Sequence, residues 1–369
     1  MFLVESYSIA VLFCFVTMLC WGSWANTQKL AGKTWRYELF YWDYVLGVVI
    51  LSLIFALTIG NNGEYGRGFF ADLAQAETTY LFSAFMGGVV FNIANILLVA
   101  AIAIAGMSVA FPVGIGLALV LGVLLNYVAK PEGNPALIFT GIALVAAAII
   151  INAIAYRKIP GQQKGVSAKG LILSVICGVL MSLFYYFVAS SLAGVVLNTN
   201  VLTVENLQEG TQEQFIKHGQ SLTVLLTAEN LQKGNLESGK LTPYTANFIF
   251  ALGILLSNFI VNTLVMKKPF VGEPVPFGDY FKGGVRDHLW GIIGGGIWAV
   301  GMTLNVIASG VASPAVAYGL GQGATLISAV WGVFIWQEFR NAPKETNKLL
   351  GAMFLLFIVG LGLLIWAKL

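Results

Sequence analysis

The chain has 369 residues, of which 58% are hydrophobic and only 10% are charged. Because soluble domains carry roughly 25% charged residues, this composition excludes an ordinary soluble protein and predicts an all-α integral membrane protein. The net charge of +3 is spread over the polar segments between apolar runs, so no nucleic-acid partner is indicated.

Ten apolar runs are long enough to cross a lipid bilayer as helices. A β-barrel is disfavoured, because barrel strands are shorter and alternate apolar with polar residues. We therefore predict ten transmembrane helices. In chain order the predicted spans are residues 8–28, 43–60, 80–105, 109–128, 136–156, 170–197, 243–265, 289–308, 313–336 and 349–367.

Two stretches of the chain, 87–127 and 294–338, share twin glycines, a helix containing asparagine, a polar break and a glycine-rich helix. Their best-matching parts, SVAFPVGIGL at 108–117 and SPAVAYGLGQ at 313–322, are identical at four of ten positions. Such a duplication on hydrophobic segments is typical of transporters whose halves pack around a central site. Because five spans per half is an odd number, we expect two inverted five-helix repeats.

This duplication divides the chain into four segments. Residues 1–160 are the expected first five-helix repeat, 161–197 a linker with span six, 198–242 an insertion, and 243–369 the remainder of the second repeat. The loops after spans one, five, seven and nine carry most of the basic residues, for example Arg157 and Lys158. By the positive-inside rule these loops face the cytoplasm, which puts both termini outside it, in a multi-pass protein of the cell or bacterial inner membrane.

The 198–242 insertion contains a small duplication of its own. LTVENLQEG at 202–210 and LTAENLQKG at 226–234 each predict a short helix with a threonine N-cap and a glycine stop. A segment of this length is either a lid or capture site over the outer mouth or a solvated insertion, and the sequence leaves both open.

Several short motifs, taken in their order along the chain, resemble one known group of proteins. The motifs are VES at 4–6, YWDY at 41–44, PYTANF at 243–248 and FIWQEFR at 334–340. Together they resemble the ureide permease family of the drug/metabolite transporter superfamily. Three further segments are similar to bacterial rhamnose and glucose/ribose permeases of the same superfamily: WGS at 21–23, GMS at 106–108 and QEFRNA at 337–342.

The resemblance implies uptake of a small neutral polar solute by alternating access. The family implies a nitrogen heterocycle such as allantoin or uracil, usually moved with protons, whereas the sugar permeases imply a monosaccharide. A third reading, export of neutral drugs or metabolites by the same fold, stays open. An enzyme is disfavoured, because the two histidines, His218 and His288, are expected in separate loops.

A site for such a solute needs amide or hydroxyl partners and an aromatic plane in an apolar cavity. Polar residues inside the predicted spans occur in pairs three, four or seven residues apart, so each pair shares one helix face. These residues either contact the solute or a gate, or they form hydrogen bonds between helices. They are Asn92 and Asn95 in span three, Trp298 and Asn305 in span eight, and Tyr318 and Gln322 in span nine.

Tryptophans at the ends of the spans have two interpretations. Trp21 and Trp24 fit an interfacial aromatic belt best, with stacking on a flat solute as the alternative. Trp42, Trp290 and Trp366 are expected in such a belt.

Prolines and glycines in spans four and nine indicate hinges or close helix crossings. Motion of one half against the other would use such joints, and tight packing without motion is the equal alternative. The hinge candidates are Pro112, Gly114, Gly116, Pro314, Gly319 and Gly321.

Coupling to protons requires a group that changes its charge inside the pathway. Only the ends of the predicted spans carry such groups, and the candidates are Asp43 and Glu338, with Glu5 further out. For Asp43 the alternative is a solvated cap at the start of span two. We expect neither a metal nor a cofactor, because the three cysteines lack the spacing of metal ligands.

Overall fold

The structure is a computed structural model that describes residues 1–4, 6–31, 35–62, 66–105, 110–160, 167–194 and 236–369. The elements within these ranges are helical. They are α1 (Tyr7–Ser23), α2 (Asn26–Leu30), α3 (Tyr37–Leu57), α4 (Phe69–Gln75), α5 (Thr78–Ala105), α6 (Gly116–Ala129), α7 (Pro135–Tyr156), α8 (Ala168–Ser191), α9 (Pro243–Lys267), α10 (Val285–Ala312), α11 (Pro314–Gly321), α12 (Ala324–Val330) and α13 (Thr346–Trp366). A π-helix, Phe111–Ile115, precedes α6, a second, Trp331–Ile335, follows α12, and a 3-10 helix, Phe277–Lys282, precedes α10.

Nine helical segments of the described part are long and apolar enough to cross a membrane. They agree with nine of the ten predicted spans, and a shorter apolar helix of 17 residues, Val113–Ala129, lies where the fourth span is expected. Large apolar side chains point outward, among them Leu12, Ile260 and Leu355, each more than half exposed. A surface of this kind is suited to lipid, so the predicted all-α integral membrane class is confirmed.

Three of the helices begin with the same local signal, a polar capping residue followed by proline. The side chains of Asn134, Thr242 and Ser313 accept hydrogen bonds from backbone N–H groups in the first turns of α7, α9 and α11. Proline fits the first helical position because the N–H group that it lacks would have no partner inside the helix. Ser313 has a φ of 75°, an uncommon conformation for a residue other than glycine, and the chain turns there directly from α10 into α11.

Glycines bring the backbones of two helix pairs into contact. A Cβ atom built on Gly47 of α3 would lie 2.1 Å from the carbonyl oxygen of Ile292 in α10. One built on Gly253 of α9 would lie 2.1 Å from the carbonyl oxygen of Phe85 in α5. Neither crossing has room for a side chain. Small residues at such positions let membrane helices associate closely. Each crossing has a second glycine from the opposite helix: Gly295 faces the Tyr44 carbonyl, and Gly88 faces the Phe250 carbonyl.

The order of packing is the same in the two halves of the chain. Helix α1 packs on α10, and α8 packs on α5 in the same way. Helix α3 packs against α9, and α7 packs against α13, so these contacts also join the first half of the chain to the second. The core therefore lies between the halves rather than inside either one.

The predicted hinge residues lie where helices begin, end or change type. Spans four and nine both contain a π-helix, a form common at functional positions in α-helices. The α-helical part of span nine is interrupted between α11 and α12. Pro112 and Gly114 lie in the first π-helix, Gly116 begins α6, Pro314 begins α11, and Gly319 and Gly321 lie at its end. Motion at these positions stays a prediction.

Two predicted helix starts were too late, and both errors concern charged residues. Helix α3 begins at Tyr37 rather than 43, since the charge of Glu38 is paired with Arg36 at 2.6 Å and tolerated inside the helix. Helix α10 begins at Val285 rather than 289, because Asp287 caps it by accepting from the N–H of Gly284 at 3.0 Å. His288 is therefore helical, and its expected position in a loop is wrong.

Some predictions fall outside the described residues. The small duplication at 202–210 and 226–234 is one of these, and most of the 198–242 insertion lies there with it. Glu5 and the segment at 106–108 are outside as well.

Candidate functional site

Aromatic rings from both halves of the chain meet in the middle of the helix assembly. Trp21 of α1 stacks on Trp298 of α10 with ring centroids 5.8 Å apart and planes 12° apart. Trp298 also lies 4.5 Å from Phe91 of α5 and 5.8 Å from Phe250 of α9, and Phe184 of α8 lies 5.2 Å from Phe91. We call these five residues the aromatic cluster. Because Trp21 is turned toward this interior, the aromatic-belt interpretation of Trp21 is wrong.

Asn305 lies beside Trp21 at the edge of the aromatic cluster. A Cβ atom on Gly321 would lie 2.8 Å from the Trp21 ring and 3.0 Å from Asn305 Nδ2, so glycine lets the two side chains meet. Asn305 is fully buried and its Nδ2 donates to the carbonyl of Ala317 at 2.9 Å. Its Oδ1 has no hydrogen-bond partner among the described residues. Gln322, which follows Gly321, is 8% exposed.

Two further predicted amides lie on α5, next to Phe91. Asn95 Nδ2 donates to the hydroxyl of Tyr41 at 3.2 Å, and Tyr41 stacks on Tyr44 at 5.3 Å. Tyr44 in turn lies 4.6 Å from Trp24, which links both predicted tryptophans of α1 to the interior. Asn92 Nδ2 donates to Ser257 Oγ at 2.9 Å, while Asn92 Oδ1 lacks a partner in the described part of the chain.

Tyr318 ties three helices together. Its hydroxyl lies 3.2 Å from the carbonyl oxygens of both Ala118 and Met181, and its single proton serves the two acceptors. Its ring lies 5.1 Å from Tyr185, whose hydroxyl donates to the Asn305 carbonyl at 3.4 Å. Tyr318 therefore holds α11 against α6 and α8 next to the aromatic cluster.

All eight predicted contact residues thus fall in or beside one buried region. Sequence reasoning missed Phe91, Phe184, Phe250 and Tyr41, because aromatic residues inside a span are usually ordinary packing residues. One signal that was available is their proximity in sequence to polar residues, as Phe91 precedes Asn92 directly.

Asp43 is buried in the structure. It is the seventh residue of α3 and is 1% exposed, so its interpretation as a solvated helix cap is wrong. Its Oδ1 accepts from the Tyr280 hydroxyl at 2.6 Å, and both carboxylate oxygens lie 3.0 Å from Nδ1 of His288. Trp35 lies against both rings, 6.4 Å from that of Tyr280 and 5.2 Å from that of His288. We call Trp35, Asp43, Tyr280 and His288 the Asp43 cluster.

Trp42, the neighbour of Asp43, was expected at the membrane interface. It is 6% exposed and its indole Nε1 lies 3.3 Å from the sulfur of Met266, so the belt interpretation is wrong for this residue too.

Glu338, the second coupling candidate, lies in a half-exposed network after the second π-helix. Its carboxylate accepts from Lys29 at 3.1 Å and from the Tyr156 hydroxyl at 2.8 Å. The Lys29 ammonium also lies 4.7 Å from the ring of Trp336. These contacts join α2 to the end of span nine, and a coupling role for Glu338 stays a prediction.

Within the described ranges, no group of three or more His, Cys, Asp or Glu side chains is placed so that it could hold a metal ion. The buried site consists of amides, hydroxyls and aromatic rings, which recognise neutral polar molecules through hydrogen bonds and stacking.

Helices long and apolar enough to span a membrane, packed around buried aromatic and amide side chains, define a multi-pass membrane protein. The sequence profile of the ureide permease family matches residues 40–169 and 221–367. Since this match covers more than half of the chain, the protein belongs to the ureide permease family.

Full-length relatives agree with this family. The chain is 25% identical to Ureide permease 1 of Arabidopsis thaliana over 99% of its own length and 98% of the relative's. It is 23% identical to Probable ureide permease A3 of Vigna unguiculata over 93% of this chain and 99% of that one. A crystal structure of another protein aligns over 98% of this chain and 99% of its own with a TM-score of 0.56, and its 16% identity limits the likeness to the fold.

Proposed function

We propose that this protein is a permease that takes up a ureide-type nitrogen heterocycle across the cell membrane by alternating access. The observation that carries the proposal is the stack of Trp21 on Trp298, together with the nearby Asn305, whose buried amide oxygen has no hydrogen-bond partner among the described residues. Family membership and the names of the relatives support the ureide class of substrate.

Ureides and nucleobases suit this site because they combine a small ring with alternating C=O and N–H groups. An indole face offers a stacking surface, and Asn305 Oδ1 is an acceptor for an N–H group of the solute. Asn95 and Gln322 would supply the donors for its carbonyl groups. The buried oxygen is otherwise costly, since an unsatisfied polar atom in the interior destabilises a protein by about 1–3 kcal/mol.

Alternating access needs two halves that can move against each other around the solute. The reciprocal glycine crossings and the equivalent packing order of the halves support a ten-span protein built from two inverted five-helix repeats. In this arrangement Phe91 and Trp298 occupy corresponding positions and touch each other, so the aromatic cluster lies on the axis between the repeats.

Counterflow in proteoliposomes tests the function directly, because it detects a substrate whether or not transport is coupled to an ion. Vesicles are loaded with unlabelled allantoin, uracil, rhamnose, glucose or ribose and then offered the same compound with a label. We expect transient accumulation of labelled allantoin or uracil, and none in vesicles without protein. Accumulation of a sugar alone would replace the heterocycle with a monosaccharide, and no accumulation of any compound would contradict a permease for either class.

A further inference from the structure

The Asp43 cluster is a titratable group inside the helix assembly that the proposed solute site does not use. Asp43 lies within a membrane-spanning helix, 1% exposed, where an ionisable side chain is costly and rarely kept without a function. Its partner His288 comes from the other half of the chain, 3.0 Å away. A contact between the halves is well placed to respond when they move.

The imidazole of His288 lies between Asp43 and Gly283, and the side chain of His288 is 26% exposed. Its Nδ1 faces the Asp43 carboxylate, while a Cβ atom built on Gly283 would lie 2.7 Å from its Nε2. Gly283 and Trp35 line a cavity of about 360 Å³ at this end of α3 and α10. One ring nitrogen therefore faces the carboxylate, and the other lies beside Gly283, a residue that lines the cavity.

The internal duplication offers a comparison within the same chain. The glycine crossing of α3 with α10 and that of α9 with α5 are built from the same contacts. This makes Tyr44 and Gly47 equivalent to Phe250 and Gly253, and Phe85 equivalent to Ile292. By the same offsets, the counterpart of Asp43 is Ile249, and that of His288 is Leu81. Apolar residues thus fill the equivalent positions of the other half. The fold does not require the Asp43–His288 pair, and a buried ion pair is seldom more stable than apolar residues of similar size.

We infer that Asp43 and His288 form a proton-binding pair that exchanges a proton with water through the cavity beside Gly283. A proton taken from water binds to Nε2 of His288. The Nδ1 proton then passes to an Asp43 oxygen, which leaves a neutral carboxyl group and an imidazole protonated at Nε2. The pair gains one proton in total, and release by the reverse route restores the carboxylate. The use of this proton in transport rests on the proposed permease function.

Tyr280 orients the carboxylate and stays protonated. Burial, followed by the hydrogen bond to the Asp43 carboxylate, raises the pKa of the Tyr280 hydroxyl above its ordinary value, so Tyr280 acts as a donor and not as the proton carrier. Other charged groups around the pair come from three elements: Arg36 and Glu38 at the start of α3, Asp279 and Lys282 on the 3-10 helix, and Asp287 on α10.

The first test needs no solute. Infrared difference spectra of the purified protein in lipid are recorded between pH about 5 and about 8, the range in which imidazoles commonly titrate. We expect the band of a carboxyl group that gains a proton and imidazole bands that change as the ring proton moves from Nδ1 to Nε2, with the carboxyl band absent in Asp43→Asn and the imidazole bands absent in His288→Gln. Glu38→Gln, which alters another buried carboxylate of α3, is the matched control. Spectra of Asp43→Asn identical to those of the unmodified protein would overturn the inference.

The second test separates the proton pair from the permease function. With one proton per solute, a gradient of about one pH unit supports up to about tenfold accumulation of solute. We expect Asp43→Asn and His288→Gln to lose this gradient-driven accumulation. The ratio of gradient-driven accumulation to counterflow should therefore be lower in both variants than in the unmodified protein. Gradient-driven accumulation in both variants equal to that of the unmodified protein would refute the pair. Absence of counterflow in the unmodified protein would instead refute the permease, while the infrared test still decides the proton site.

Discussion

At the scale of single residues, Asn305 gives the sharpest test of the proposed solute site. Its Oδ1 is buried and has no partner among the described residues, so a bound solute would be its natural hydrogen-bond donor. We expect Asn305→Ala to raise the half-saturation concentration in counterflow by about 3- to 10-fold, the worth of one such hydrogen bond.

A matched control for this prediction lies on α6. Asn126 is equally buried, its Nδ2 donates to the carbonyl of Gly122 at 2.8 Å, and its Oδ1 is also unpartnered within the described ranges. No ring contact joins its neighbour Tyr127 to the aromatic cluster among the described contacts. Equal losses of affinity in Asn126→Ala and Asn305→Ala would mean that general packing, not solute contact, explains the effect.

The sequence was informative about single residues where their chemistry is unusual for lipid. Asn305 and Trp298 could be chosen because a buried amide or indole N–H group needs a partner. The solvated-cap alternative for Asp43 and the loop position of His288 were wrong because hydropathy alone counts each residue as a break in the helix. Their mutual contact spans 245 positions in the chain, and no local pattern reveals a contact of that range.

At the scale of helices, the glycine crossings predict a large difference between two substitutions in α10. A methyl group on Gly295 would lie 1.9 Å from the Tyr44 carbonyl oxygen, whereas one on Gly310 meets nothing within 4 Å. We expect Gly295→Ala to separate α3 from α10 and to lower the melting temperature in detergent by about 5 °C or more. Gly310→Ala should leave the melting temperature unchanged or raise it, because alanine favours a helix by about 1 kcal/mol over glycine. Equal melting temperatures would show that this crossing is not tight.

The segment between α6 and α7 predicts a pH-dependent contribution to stability. Burial acts to raise the pKa of Glu132, but hydrogen bonds from Lys368 and Lys130 outweigh it, so the pKa of this carboxyl is lowered. A lowered folded-state pKa stabilises the protein above the unfolded value of about 4.3 and ceases to do so as the pH falls through the folded value.

Glu132→Gln should therefore lower the melting temperature near pH 7, by the equivalent of about 1 kcal/mol or less, and have a smaller effect near pH 3, which lies below the unfolded value. Thermal unfolding in detergent at the two pH values measures this difference. Glu273→Gln serves as the control, because no ion pair of this exposed residue occurs among the described contacts. A deficit in Glu132→Gln that is the same at both pH values would exclude the ion pairs as its cause.

At the scale of the whole molecule, composition and the length of the apolar runs were sufficient to predict the all-α integral membrane class and most of the spans. They could not predict how halves 200 residues apart would pack, although the duplicated glycines of 87–127 and 294–338 proved to be crossing points. The interruption of the α-helix after Gly321 falls at the predicted hinge candidates Gly319 and Gly321, although apolar character continues through it into α12. Hydropathy indicates which residues avoid water. Where the helix is interrupted within a span depends on how the span packs against neighbouring helices.

The orientation of the molecule is the prediction that depends on every span at once. The Tyr7 hydroxyl donates to the carbonyl of Ile365 at 2.5 Å, which puts the start of α1 and the end of α13 at the same end of the helix assembly. The segment that contains Lys130 lies there too, since Glu132 pairs with Lys368. Helix α7 then leads to the other end, where Arg157 follows it.

The basic residues predict that the Arg157 end faces the cytoplasm. We expect a membrane-impermeant thiol reagent to label Lys130→Cys in intact cells, and to label Arg157→Cys only after the membrane is opened. Cys14, Cys20 and Cys177 are first replaced by serine, which removes the native thiols. The reverse pattern would place both termini in the cytoplasm. Labelling of both positions in intact cells would contradict a membrane-spanning α7, and with it the odd number of spans that requires the two halves to be inverted.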